Sequence, residues 1–272
     1  MFCRSVEKLK KMNVKGSVFI ITGAASGIGE AAARAIVKDG AKVVLGDTNE
    51  EALMAVADSI LSESVAYKKI DVTNEPDVKQ FMDFAVQQFG KINVVLACAG
   101  IIRDSFLVSP DKETGKVKKF MTIDQWSQVI NVNLTGVFLT LREAVIRMID
   151  NNWEGVLIPV SSINKAGELG QLNYASTKAS IALWPKILAG EFHAKGIKNI
   201  RVVAIAPGYV ETPILTAIKP EILKGIVTEI PLGRLIQTDE IVQTIKFIVQ
   251  NNAVHGTTIE VSGGSIAKGL AK

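Results

Sequence analysis

Tyr174 and Lys178 stand four residues apart in Tyr-Ala-Ser-Thr-Lys, within a stretch that reads as helix, so a phenol and an ammonium share one helical face. A pair of this kind can move a proton. A phenol titrates near pH 10 and is a poor acid–base group at neutral pH until a cation stabilises its anion. Lowering it by about three units takes roughly 4 kcal/mol, within reach of an adjacent ammonium helped by a second positive group. Ser161 lies thirteen residues before Tyr174, directly after the apolar run Gly155–Val160. It therefore sits at a strand end, where α/β folds gather their ligands. Tyr and Lys at this spacing are common on surface helices, so the pair gains meaning only from its company.

That company begins near the N-terminus. Thr22-Gly23-Ala24-Ala25-Ser26-Gly27-Ile28-Gly29 follows the apolar run Val18–Ile21 and leads into the helical run Glu30–Lys38. Glycines at a strand–helix junction allow a tight turn and let backbone approach a pyrophosphate closely. The helix N-terminus adds free N–H groups and partial positive charge. No Gly-Lys-Ser/Thr follows, which excludes a Walker A loop. Asp47 closes the run Val43-Val44-Leu45-Gly46, eighteen residues after Gly29. A carboxylate there is placed to accept hydrogens from both ribose hydroxyls of a dinucleotide. Its charge would repel a 2′-phosphate, and neither Ser26 nor Thr48 is basic, so NAD is expected ahead of NADP. The plainer reading of Asp47 alone is a turn residue before Asn49.

These residues need a scaffold. Short apolar runs at Val18–Ile21, Lys42–Leu45, Ala66–Ile70, Asn93–Ala97, Gly155–Val160, Arg201–Ile205 and Thr258–Val261 read as strands buried on both faces. Helical patterns alternate with them at Ile28–Lys38, Glu50–Ser62, Glu75–Phe89, Ile123–Asn151, Asn173–Lys195 and Asp239–Asn251. The alternation predicts an α/β protein: a doubly wound, seven-stranded parallel sheet with helices on both faces. Residues 15–272 are expected to form a single domain, preceded by a flexible extension over 1–14. Ser109–Lys119 is polar and reads as a loop or hairpin. Pro213–Val227, apolar but broken by Pro220 and Gly225, reads either as a flap over a pocket or as a packed connection.

Composition narrows the function classes. The 272 residues are 48% hydrophobic and 21% charged, a globular mix. A formal charge of +4, spread along the chain, argues against a nucleic-acid partner. Cys3 and Cys98 build no disulfide framework, and with two histidines no metal site is expected. The longest apolar stretch noted, Val94–Ile102, is too short for a bilayer, and the basic N-terminus lacks an apolar core, so a cytoplasmic protein with no membrane partner is expected. His193 and His255 suggest a hydrolase with Ser161 as nucleophile, but no Gly-x-Ser-x-Gly elbow surrounds that serine. Cys98, in an apolar strand, reads as a core thiol.

Taken together, the sequence resembles the short-chain dehydrogenase/reductase family from about Lys15 to Ala267. Thr22–Gly29 matches the family's T-G-x-x-x-G-x-G turn, implying that Gly23, Ser26, Gly27, Ile28 and Gly29 bind cofactor together with Asp47. Asp71 and Val72 match the segment that holds the adenine. Ala97-Cys98-Ala99-Gly100 replaces the family's Asn-Asn-Ala-Gly, with Ala99 and Gly100 still facing the nucleotide. The resemblance implies a tetrad of Asn133, Ser161, Tyr174 and Lys178. Ser161 would hold the substrate oxygen, and Tyr174 would be the acid–base. Lys178 would bind ribose and lower the phenol's pKa, and Asn133 would bind a relay water. Pro207, Gly208, Val210 and Thr212 match the segment under the nicotinamide.

Ile-Pro-Leu-Gly-Arg-Leu (230–235) and the glycine-rich ending (256–264) are similar to 3-oxoacyl-carrier-protein reductases and to 3-hydroxyacyl-CoA and 17β-hydroxysteroid dehydrogenases. Against the carrier-protein reductases, Ser109–Lys119 reads as an insertion, and Ser262 replaces the family's Asp. The resemblance implies a homotetramer, with helices near 123–151 and 173–195 at a dimer seam. The expected function is hydride transfer between NAD(H) and a secondary alcohol or ketone, on a hydrophobic or 3-hydroxyacyl-type substrate. Two alternatives are an NADP-dependent 3-oxoacyl-carrier-protein reductase and a non-enzymatic NAD-binding regulator. Arg142, Arg147, Lys195 and Lys198 offer an acidic carrier protein a docking face, although a solvated helix surface is the simpler reading.

Overall fold

Every residue of strand β1 (Val18–Thr22) is buried, and its alternating side chains divide the interior between the two faces of a sheet. In the computed structural model, which describes residues 12–265, Phe19 and Ile21 join one apolar cluster and Ile20 another. The chain continues through α1 (Gly27–Lys38), β2 (Lys42–Asp47), α2 (Glu50–Ile60), β3 (Val65–Lys69), α3 (Glu75–Phe89) and β4 (Val94–Ala97). A hairpin of β5 (Val108–Pro110) and β6 (Val117–Phe120) precedes α4 (Ile123–Ile130), a π-helical turn (Asn131–Gly136) and α5 (Val137–Asp150). Next come β7 (Gly155–Pro159), a 3-10 turn (Ile163–Ala166), α6 (Leu172–Ala194) and β8 (Ile200–Pro207). Helices α7 (Pro213–Thr216), α8 (Pro220–Thr228) and α9 (Thr238–Gln250) lead to β9 (Thr257–Val261).

Seven strands pair in parallel in the order β3-β2-β1-β4-β7-β8-β9, with Phe19 opposite both Val43 and Val94. Both faces are covered, as an all-parallel sheet requires. Ile36 of α1, Leu53 of α2 and Ile245 of α9 cover one face; Phe81 of α3, Met148 of α5 and Ile181 of α6 cover the other. This is the doubly wound architecture that the alternation predicts. Strand order reverses between β1 and β4, which opens a crevice at their carboxyl ends. Local signals set the helix starts: Asn49 and Asn74 cap α2 and α3, and Thr122 forms a capping box with Gln125 at α4.

Several expectations change. Met12 and Val14 are buried in the α1-side core, so the domain begins before Lys15; residues 1–11 of the proposed extension lie outside the described ones. The helix expected over 123–151 is interrupted by the π turn, whose Gly136 passes so close to β3's exit that an added Cβ would lie 2.6 Å from Val72 Cγ2. This helix, 123–150, also has the length and mean hydropathy to cross a bilayer. Half of its most apolar window is buried, with Leu139, Leu141, Ala144 and Met148 in the core, as a core helix requires. Residues 109–119 do fall in a hairpin, one of the two forms expected of them, and Phe106, Val117 and Phe120 in and beside it are exposed. The 213–227 stretch is helical, and α8 buries none of its residues.

Asn93 pins the middle of the sheet. Its Oδ1 accepts from the Val18 N–H at 3.1 Å, and its Nδ2 donates to the Glu154 carbonyl at 3.1 Å, tying β1 to the approach of β7. Replacing it leaves one buried and one half-buried backbone group short of partners. Asn93→Ala is expected to destabilise the fold by about 2 kcal/mol and lower Tm by about 5 °C, measured by thermal and denaturant unfolding.

Candidate active site

The crevice is a cleft of about 850 Å³. Gly23, Ser26, Gly27 and Ile28 line it from the first turn, and Asp47, Asp71 and Val72 from the ends of β2 and β3. Ala99 and Gly100 line it beyond β4, Ser161 beyond β7, Tyr174 and Lys178 from α6, and Pro207, Gly208, Val210 and Thr212 from the exit of β8. Gly29 and Asn133 are not part of this lining. All sixteen other residues that the sequence nominates therefore meet at one sheet edge.

The first turn fits a dinucleotide phosphate. Ser26 makes no side-chain cap hydrogen bond, so its hydroxyl does not occupy the first N–H groups of α1. A Cβ on Gly23 would lie 2.8 Å from the Ala99 backbone, and one on Gly29 would lie 2.2 Å from the Gly23 carbonyl. Only glycine fits either place. Asp47 Oδ2 accepts from the Ala25 N–H at 3.2 Å and Oδ1 from the Asn49 N–H at 3.0 Å, which holds the carboxylate beside the turn. Asp71 Oδ1 takes both the N–H and the hydroxyl of Thr73. Among the described residues lining the cleft, Lys178 is the one cation. The departure at Ala97–Gly100 is bridged by Thr22, whose Oγ1 accepts from the Ala99 N–H at 3.4 Å.

Tyr174 is held by its neighbours. Asn173, fully buried, donates to the carbonyls of Arg103 and Gln125 and accepts from the Tyr174 N–H at 2.7 Å, locking the start of α6. Ser162 borders the cleft with Tyr174, and its hydroxyl acts on the phenol, holding its pKa lower than burial alone would. Ser161, the serine that the spacing selects, is not the one that faces it. Its Oγ donates to the Lys178 carbonyl at 2.6 Å, inside the α6 packing. Extended backbone at the end of β7 turns successive side chains in opposite directions, so the cleft-facing hydroxyl falls one residue later.

Lys178 is 4% exposed, and its Nζ donates to the Val160 carbonyl at 2.8 Å and lies 5.4 Å from the Tyr174 ring centroid. Burial pulls this ammonium down to about 8, opposed by Cys98. Burial also pushes the Tyr174 phenol up to about 12, against the lowering Ser162 hydrogen bond. The phenol thus stands above its ordinary value, contrary to the expected lowering by Lys178, because desolvation outweighs every other influence on it. Burial likewise raises the Cys98 thiol to about 11, which leaves it a protonated core group. Asn133, in the π turn, holds Ile101 with its amide, accepting from its N–H at 2.8 Å and donating to its carbonyl at 2.9 Å. Its side chain thereby pins the loop after β4. π turns often mark functional sites.

A model of the family described as enoyl-(acyl carrier protein) reductase matches residues 23–265. The chain belongs to the short-chain dehydrogenase/reductase family. It is 36% identical over 268 residues to the 3-oxoacyl-(acyl-carrier-protein) reductase FabG of Thermotoga maritima, covering 94% of this chain and all of that protein. It is 34% identical to the cis-4-hydroxycyclohexanecarboxylate dehydrogenase of Sinomonas cyclohexanicum, over 92% of this chain and 96% of that one. The crystal structure of a 3-ketoacyl-(acyl-carrier-protein) reductase from Brucella melitensis complexed with NADH superposes with a TM-score of 0.79 at 28% identity, covering 93% and 99% of the two chains.

Sequence reasoning missed a polar group beside the tetrad: Asp104, Asn164 and Gln171 all line the cleft. They lie in a loop, a 3-10 turn and a helix N-cap, and no periodicity or spacing joins them. Ser162 was legible only as the neighbour of Ser161. The two serines separate by experiment: Ser162→Ala is expected to lower kcat at least a hundredfold, and Ser161→Ala less than tenfold, in steady-state turnover of a ketone.

Proposed function

We propose that this short-chain dehydrogenase/reductase reduces a 3-oxoacyl thioester to the 3-hydroxyacyl form, using NADH. The observation that carries the reading is the convergence of the Ser162 hydroxyl and the Tyr174 phenol on one cleft, with the Lys178 ammonium behind the phenol ring. Names among the relatives support the substrate class, and the carboxylate of Asp47 in a cleft whose described lining has no second cation supports NADH over NADPH.

When bound, the nicotinamide supplies the hydride that the carbonyl carbon accepts. Gly23, Ser26, Gly27 and Ile28 would hold the pyrophosphate, Asp47 the adenosine ribose, and Asp71 and Val72 the adenine edge. Pro207, Gly208, Val210 and Thr212 would form the floor beneath the reacting ring. Ser162 donates a hydrogen bond to the substrate oxygen and orients it. Tyr174 gives that oxygen its proton as the alkoxide forms; a phenol held at about 12 is fully protonated at neutral pH and is a donor in the reducing direction. Lys178 stabilises the phenolate left behind. The apolar residues Leu215, Ile218 and Ile226, from α7, α8 and the link between them, cover the acyl end of the cleft.

The carrier of the thioester is an acidic protein or coenzyme A, and the assembly is a homotetramer. Phe138, Ile146 and Ile149 on α5 and Leu183 and Ile187 on α6 are exposed apolar side chains at the seam that the resemblance implies. The free Cys98 thiol fits a reducing, cytoplasmic setting.

The decisive assay follows nicotinamide absorbance with acetoacetyl-CoA and either NADH or NADPH. NADH is expected to be favoured at least tenfold, and Asp47→Ala to bring the two within about threefold. A clear NADPH preference in the unmodified protein overturns the assignment. Tyr174→Phe is expected to lose about 10²–10⁴-fold in kcat; unchanged turnover overturns the mechanism. The pH profile follows from Lys178. Its ammonium is protonated below about pH 8, so kcat/KM for reduction is expected to be flat there and to fall above it. Lys178→Arg, charged throughout, should lose activity overall but show no falling limb near 8.

A further inference from the structure

Asn164 is more than nine-tenths buried and borders the cleft, yet its Oδ1 has no hydrogen-bond partner. A buried acceptor left unmet is costly, and nearly all such groups in folded proteins find partners. Its orientation is imposed from outside. Gln171 Nε2 donates to Asp104 Oδ2 at 2.9 Å, and a carboxylate can only accept. That turns Gln171 Oε1 toward Asn164, whose Nδ2 donates to it at 2.8 Å. The remaining end of the Asn164 amide is therefore the oxygen. Flipping either amide would set acceptor against acceptor somewhere along the chain.

The place of this oxygen matters as much as its polarity. The Asn164 N–H donates to Ser162 Oγ at 3.1 Å, and Ser162 shares the cleft lining with Tyr174. Covalent geometry keeps an Asn side-chain oxygen within about 5 Å of its own backbone nitrogen, hence within roughly 8 Å of that serine hydroxyl. Ile102, Leu169, Leu215 and Ile218, also on the cleft lining, are apolar. Asp104 and Gln171 line the cleft too, and of the chain they form with Asn164 the Asn164 Oδ1 is the end left without a partner; a few placed polar groups among apolar ones are the usual means by which a small-molecule site fixes its ligand's orientation.

We propose that Asn164 is a specificity residue whose Oδ1 accepts a hydrogen bond from a neutral donor carried by the substrate within a few bonds of the reacting carbon. Two sources carry that chemistry: a hydroxyl on the carbon chain, or the amide N–H of a pantetheine-like thioester arm. A substrate presenting only acceptors at that point meets repulsion and binds less well. The χ2 torsion of Asn is soft, so a small swing of the amide meets the ligand while the bond to Gln171 persists. The inference rests on the hydride-transfer reading of the cleft.

The test compares kcat/KM within two substrate pairs, each differing in the donor. One pair is 2,3-butanediol against 2-butanol, in oxidation. The other is acetoacetyl-N-acetylcysteamine against S-pentyl acetothioacetate, in reduction. The parent protein is expected to favour the donor-bearing member by about fivefold to twentyfold in at least one pair, the scale of one neutral hydrogen bond in a dry site. The responding pair identifies the source. Asn164→Leu should bring that ratio to within about twofold of one, while Asn164→Asp, which keeps an acceptor, should hold it above about threefold. Because each ratio is taken within one protein, impaired folding or chemistry cancels. No preference in either pair, or a preference that survives Asn164→Leu, overturns the proposal. Absence of turnover with all four compounds and either nicotinamide instead refutes the hydride-transfer reading, and the proposal falls with it.

Discussion

Taking an ammonium out of water costs several kcal/mol unless fixed dipoles replace its hydration. Lys178 is held in that condition, with the Val160 carbonyl 2.8 Å from Nζ as its replacement solvent. The architecture around it follows from that need. Strand β7 must end where its last carbonyls face α6, and α6 must begin early enough to carry Lys178 one turn beyond Tyr174. The loop after β4 must stay close, because a Cβ on Gly100 would lie 3.7 Å from Nζ. Asn133 fixes that loop through both backbone groups of Ile101, and Asn173 fixes the beginning of α6. Each of these side chains is buried and polar, and each is satisfied by backbone.

The same burial acts in opposite directions on the two groups it encloses. It raises the phenol and lowers the ammonium, favouring the neutral form of both. Tyr174 is consequently protonated at neutral pH, while Lys178 keeps its charge only on the acidic side of about 8. Both protonation states thus share one cause, the depth at which α6 enters the cleft.

The sheet was legible because parallel strands covered on both faces must be apolar throughout: Val18–Thr22 and Val94–Ala97 carry that signature plainly. The glycine turn was legible for a different reason, since Gly23 and Gly29 tolerate no side chain. Spacing failed where one residue decides which way a side chain points. Ser161 and Ser162 are chemically identical, and the choice lies in the extended backbone that turns the first inward and the second outward. Nor did periodicity foresee the π turn, because a hydrophobic pattern barely changes when one helical turn widens. Met12 and Val14, two apolar residues among lysines, form no recognisable element in the sequence, yet both belong to the apolar cluster that α1 joins.

Helix α8 stands at the mouth of the cleft and contributes no buried residue to either core, although Ile226 borders the interior space. Its amino acids are therefore coupled weakly to the free energy of folding and strongly to what can enter. A lineage can exchange them one at a time without crossing a threshold of collapse. Diversification of diet on an unchanging chassis is what such an arrangement permits, and it requires no accompanying repair elsewhere in the chain.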